Sequence, residues 1–160
     1  MKVPVGAIIV SIFAVVWVAA GTHQLGRRWF ALLSLMSILV SLGVICAAAS
    51  ITPAHSVAFN ATAYNISVVF EAVLIFLAVV FLVRSGNKQF LLPVISIIVG
   101  LHFFGMVWAL GSNLYWFVGA AMCLLSILTM SIFPQLIWAP VVGIGCAVIL
   151  WCSVICAFFF

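Results

Sequence analysis

Glu71 is the single acidic side chain in a chain of 160 residues, and it falls inside a long apolar run. A carboxyl in hydrocarbon is expensive to ionise, so it is expected to stay neutral unless a partner or water reaches it. Such residues mark proton or ion pathways. The competing role is a protonated carboxyl hydrogen-bonded across a helix interface. His102 is the only histidine inside an apolar run, within Gly100-Leu101-His102-Phe103-Phe104-Gly105. An imidazole relays protons near neutral pH, ligates metals or bridges helices, and glycines on either side favour the close helix approach that a bridge requires. Glu71 and His102 are therefore the candidate proton-handling or polar intramembrane pair.

Other chemistry has little raw material. His23 and His55 lie in loops, at depths that do not match His102, whereas a bis-histidine haem needs two ligands facing each other at one level. No His or carboxylate stands at helical spacing from another, so no zinc or other metal site is expected, and no cofactor. Cys46, Cys123, Cys146, Cys152 and Cys156 all fall in apolar runs without paired metal or redox spacing, and are read as small hydrophobes. There is no Asp, GxSxG, HExxH or glycine-rich phosphate loop. General acid/base and metal catalysis are thus poorly provided for, and the chain is not expected to be an enzyme.

The elements that must position this pair follow from composition. Hydrophobic residues make up 69% of the chain and charged residues 4%, against about a quarter charged in a soluble domain. The exterior must face lipid, where backbone groups are satisfied only within helices or a closed barrel. The runs are apolar on all sides for roughly 20 residues, the length of a spanning helix, and lack the alternation of a barrel strand. The expectation is an all-α transmembrane bundle of about six spans, near 3–21, 30–49, 66–83, 90–110, 116–133 and 141–160, forming one domain over 1–160. Pro4, Pro93 and Pro140 lie near helix starts and Pro134 closes the fifth run. Met1-Lys2 and the run ending Val18-Ala19-Ala20 have the outline of a secretory signal, but the segment is read as the first span.

Five Lys and Arg residues give a net charge of +4. They are scattered, so no nucleic-acid-binding face is expected. Arg27 and Arg28 lie between the first two spans, and Arg84 and Lys88 between the third and fourth. The positive-inside rule makes these the cytoplasmic topology determinants and leaves both termini outside. Trp29, Tyr64, Tyr115, Trp116 and Trp138 near span ends form an aromatic belt. Asn60-Ala61-Thr62 and Asn65-Ile66-Ser67 match the glycosylation pattern, but sit too close to the bilayer to be read as sites. The connection near 50–65, small or apolar around Val57, Ala58 and Phe59, is expected to pack against the helix ends.

Two longer-range patterns complete the reading. Val16-Trp17 with Gly21-Thr22 matches Val107-Trp108 with Gly111-Ser112, each followed by a Trp-Phe pair. Two such halves of three spans would form an inverted repeat, as in many secondary transporters. In addition, Glu71-Ala72-Val73 through Arg84, Leu92-Pro93, and Val99-Gly100-Leu101-His102-Phe103-Phe104 resemble small bacterial integral membrane proteins with a GLHF segment. Gly105-Met106 stands here where Pro-Leu commonly follows. That resemblance implies a bacterial cytoplasmic membrane location and carries no activity with it.

Two functions fit these residues. One is a proton-linked carrier or channel for a small solute, working through Glu71 and His102 and needing a polar cavity. The other is a non-enzymatic scaffold or accessory subunit whose partners are the lipid bilayer and a second copy or another membrane protein. Counting along the third and fourth spans favours the pair. Glu71 is thirteen residues from Arg84 and His102 fourteen from Lys88, so each lies roughly 20 Å from the shared turn, at one depth on neighbouring helices.

Overall fold

A chain this apolar has few ways to satisfy its backbone, and it takes the helical one. The computed structural model describes residues 5–50 and 60–157. His55, Pro4 and the packing expected of the 51–59 connection lie outside them. The described residues form α1 (Val5–Thr22), α2 (Arg27–Ser50), α3 (Ala61–Arg84), α4 (Leu91–Leu110), α5 (Leu114–Ile132) and α6 (Trp138–Cys156), with no strand among them. All six are long and apolar enough to cross a bilayer. The protein is a multi-pass, all-α integral membrane protein.

Four helices, α2, α3, α5 and α6, begin before the expected spans, and at three of them the local reason is visible. At α2, Arg27 and Arg28 form the first turn itself, where long basic chains can reach headgroup level. At α3, Asn60 caps the helix, its Oδ1 accepting from the Ala63 N–H at 3.1 Å. The Asn60 N–H donates in turn to the Ala109 carbonyl at 2.9 Å, tying the start of α3 to the end of α4. The first glycosylation-like asparagine is thus a helix cap, and Asn65 lies within α3. At α6, Trp138 is helical and its Nε1 donates to the Phe133 carbonyl at 2.8 Å across the turn. Pro140 falls in the first turn of α6 and Pro93 in that of α4, where a missing N–H costs nothing.

The chain divides into two compact units, one of residues 1–56 and 139–160, the other of 57–138. They group the helices differently from two consecutive three-span halves, because α1 and α2 join α6. Glycine explains the first unit. A Cβ on Gly143 would lie 2.6 Å from both the Gly21 Cα and the Trp17 carbonyl, so α1 and α6 touch backbone to backbone, as small residues permit in membranes. Polar contacts add to this, with Trp151 Nε1 donating to Ser41 Oγ at 3.0 Å and Ser41 Oγ to the Ser11 carbonyl at 3.2 Å. Ala7, Val44, Ala48 and Val154 pack around them.

In the second unit α3 and α4 form an antiparallel hairpin, and α5 packs on the far side of α4. The hairpin turn places Gly86 at φ 77°, a left-handed conformation that favours glycine. Between α4 and α5 a second glycine contact sets the spacing, since a Cβ on Gly100 would meet the Gly119 carbonyl at 2.9 Å and Cys123 Sγ at 2.7 Å. Ser96 Oγ donates to the Met122 carbonyl at 3.4 Å, and the rings of Phe103 and Tyr115 stack at 6.0 Å.

Candidate functional site

A helix that carries one carboxyl and one that carries one imidazole can bring them together only if depth and rotation both agree. Depth comes from the turn at 85–87, which starts both helices from one level. Rotation comes from close packing at Gly105, where a Cβ would sit 2.5 Å from Ser67 Oγ. Because Gly105 has none, Ser67 seats against α4 and turns the next inward residue of α3, Glu71 at i+4, toward it. The result is a contact of 3.4 Å between Glu71 Oε2 and His102 Nδ1.

Ser67 completes the cluster. Its hydroxyl donates to the His102 main-chain carbonyl at 3.3 Å and lies 3.0 Å from His102 Nδ1. A hydroxyl committed to the carbonyl accepts from Nδ1–H, so this tautomer directs the ring proton at Ser67 and Glu71 together. Serine and acid thus meet the same ring nitrogen, whereas a nucleophilic triad needs them on opposite nitrogens. The arrangement suits sharing a proton between carboxyl and imidazole, and does not suit activating Ser67 as a nucleophile. Ser67 stands in the sequence only as part of a glycosylation-like triplet and is not joined to the pair there, although its position one turn before Glu71 and Gly105's position one turn after His102 are available signals.

The pair is not sealed. The Glu71 side chain is 20% exposed and that of His102 10%, and both line a cavity of about 330 Å³ between α3 and α4. The remaining lining is mostly apolar, including Ile66, Phe70, Leu74, Leu101 and Trp108. Among the described residues no group of three or more His, Cys, Asp or Glu gathers as a metal site would require.

The other sequence-selected residues lie apart from the cavity. His23 Nδ1 is 2.7 Å from the Ala20 carbonyl at the α1–α2 turn. Arg27, Arg28, Arg84 and Lys88 are exposed at helix ends and turns. Cys146 is buried and Cys46 and Cys152 exposed, none of the three in a disulfide, while Cys123 Sγ donates to the Ile97 carbonyl at 3.7 Å.

A family model matches residues 3–157, nearly the whole chain, and it describes a family of unknown function, DUF7010. The chain belongs to that family. No curated protein and no solved structure matches. Family membership thus assigns no chemistry to the α3–α4 cavity, and its residues carry the functional reading by themselves.

Proposed function

We propose that this DUF7010 chain is a proton-linked carrier or channel for a small solute, with Glu71 and His102 as the exchanging pair. The observation that carries the reading is the 3.4 Å contact between the two groups on the wall of a cavity of about 330 Å³. The cavity is mostly apolar and not the polar one the sequence calls for, but it leaves the pair an open side at which a solute can reach the carboxyl, which a sealed structural hydrogen bond would not have. In this reading the Arg27-Arg28 and Arg84-Lys88 turns face the cytoplasm of a bacterial inner membrane. Six crossings then leave both termini outside.

The test is proton flux into liposomes bearing the purified protein and a trapped pH-sensitive dye. A pH gradient should dissipate faster than in empty liposomes, and Glu71→Gln and His102→Gln should each return the rate to the empty-liposome level. Flux that is absent, or unchanged in both variants, would overturn the proposal.

The alternative, a scaffold or accessory subunit that pairs with a second copy or another membrane protein, draws on α3. Only 6% of that span is buried, and Val69 and Phe76 are exposed. A partner would cover that flank. Protein that migrates as a monomer in detergent and conducts protons once returned to liposomes would rule against it.

A further inference from the structure

We infer that the α3–α4 cavity binds a lipophilic organic monocation, which enters in exchange for one proton of the Glu71–His102 pair. The exchange rests on the proton-linked reading above; the binding site rests on the cavity alone.

Three observations define the ligand. Its body must be apolar and compact, because a cavity of about 330 Å³ with mostly hydrocarbon and aromatic walls is at the small end of drug-sized sites. Its charge must be positive. Glu71 is the one acid in the chain, its carboxyl is the more open member of the pair, and Phe70 and Trp108 line the same cavity with ring faces that attract cations. An anion would meet only the less exposed imidazole, beside a carboxyl.

The third observation is depth. Glu71 lies ten residues from the start of α3 and thirteen from its end, about 15 Å and 20 Å at helical rise, which is mid-bilayer. A phospholipid headgroup amine stays at the interface, so the cation must be one whose charge is screened by its own apolar groups. Its path is lateral. Ile66 and Trp108 are each 66% exposed and Phe70 62%, so the mouth of the cavity opens into the lipid phase.

The charges balance across the exchange. Before binding, the pair holds a proton; on binding, the proton leaves to water and the ligand's charge replaces it beside the Glu71 carboxylate. The titratable groups facing the site are Glu71 from α3 and His102 from α4. Tyr64 lies further along α3 and outside the cavity lining. On α5, Tyr115 stacks on Phe103 and Cys123 faces the Ile97 carbonyl.

The test uses purified full-length protein in lipid nanodiscs with tetraphenylphosphonium as probe and tetraphenylborate, the same shape with the opposite charge, as control. Tetraphenylphosphonium should bind saturably and release close to one proton per ligand in weak buffer. Its affinity should fall up to about tenfold per pH unit on acidification, as competition with one proton requires. Glu71→Gln should weaken binding at least about tenfold. Glu71→Asp, which keeps the carboxylate, should retain it, and His102→Gln should retain binding while flattening its pH dependence.

Equal binding of tetraphenylborate, or tetraphenylphosphonium binding that Glu71→Gln leaves unchanged, would overturn the site. Failure of both Glu71 variants to bind, with wild-type helicity and elution volume in each, would assign Glu71 to shape and overturn it as well. Glu71-dependent proton flux in liposomes without any tetraphenylphosphonium binding would remove this inference and leave the proposed function intact. Carboxylate-dependent binding without proton release would keep the site and remove the exchange.

Discussion

Replacing Gly105 by Ala tests whether α3 is held in rotation by the serine–glycine contact. The new Cβ would lie 2.5 Å from Ser67 Oγ and 3.2 Å from Ser67 Cβ. The hydroxyl can escape by changing rotamer, but it then gives up its contacts with the His102 ring and carbonyl. Hydrogen bonds between membrane helices average about 0.6 kcal/mol and reach about 1.7, so the loss should be about 1 kcal/mol. Against it stands the gain in helix propensity from Gly to Ala, also about 1 kcal/mol, and the single variant can come out close to neutral. A double-mutant cycle removes that ambiguity, because the propensity gain appears in both backgrounds. With Ser67→Ala already in place there is no hydroxyl to displace, so Gly105→Ala should be more favourable there by about 1 kcal/mol. Unfolding of the purified variants, followed by tryptophan fluorescence as SDS replaces a mild detergent, measures each corner. Additivity to within about 0.3 kcal/mol would refute the claim that this contact sets the rotation of α3.

Gly143→Leu should be far more damaging, by about 1–3 kcal/mol, because its neighbours at 2.6 Å are backbone atoms that no rotamer change moves. Gly43→Ala, with open space around it, should instead be neutral or stabilising by up to about 1 kcal/mol, and SDS unfolding compares the two. Asn60→Ala should cost about 1 kcal/mol of α3 stability through loss of its cap, seen as faster amide exchange over 61–64 with little change in α5. In a background free of native cysteines, a cysteine at 113 should react with an impermeant maleimide in intact cells and one at 86 should not; the reverse pattern would invert the proposed topology.

Membrane spans are legible because lipid imposes one requirement, a run of about 20 apolar residues closed into a helix, and this chain meets it six times. The common depth of Glu71 and His102 is legible for a related reason. A short turn starts α3 and α4 together, and a constant rise turns residue counts into distance. What the runs do not encode is which way each helix faces. In water the buried face is the apolar one, but here Phe76, Phe81 and Ile132 are exposed while Ser11, Ser41, Ser96, Ser126 and Thr129 are buried. Lipid gives apolar side chains no reason to turn inward, so inward faces are marked by small and polar residues that pack or hydrogen-bond.

The sequence by itself therefore determined six spanning helices and the level at which the one carboxyl and the one intramembrane imidazole sit. Three things were decided only in tertiary structure. Gly21 and Gly143 bring α6 back against α1. Gly105 admits Ser67 and thereby rotates Glu71 to within 3.4 Å of His102. The cavity beside the pair exists because α3 and α4 leave about 330 Å³ unfilled. Each depends on which residues from distant parts of the chain meet at a helix crossing, and a hydropathy pattern that is apolar on every face carries no record of that meeting.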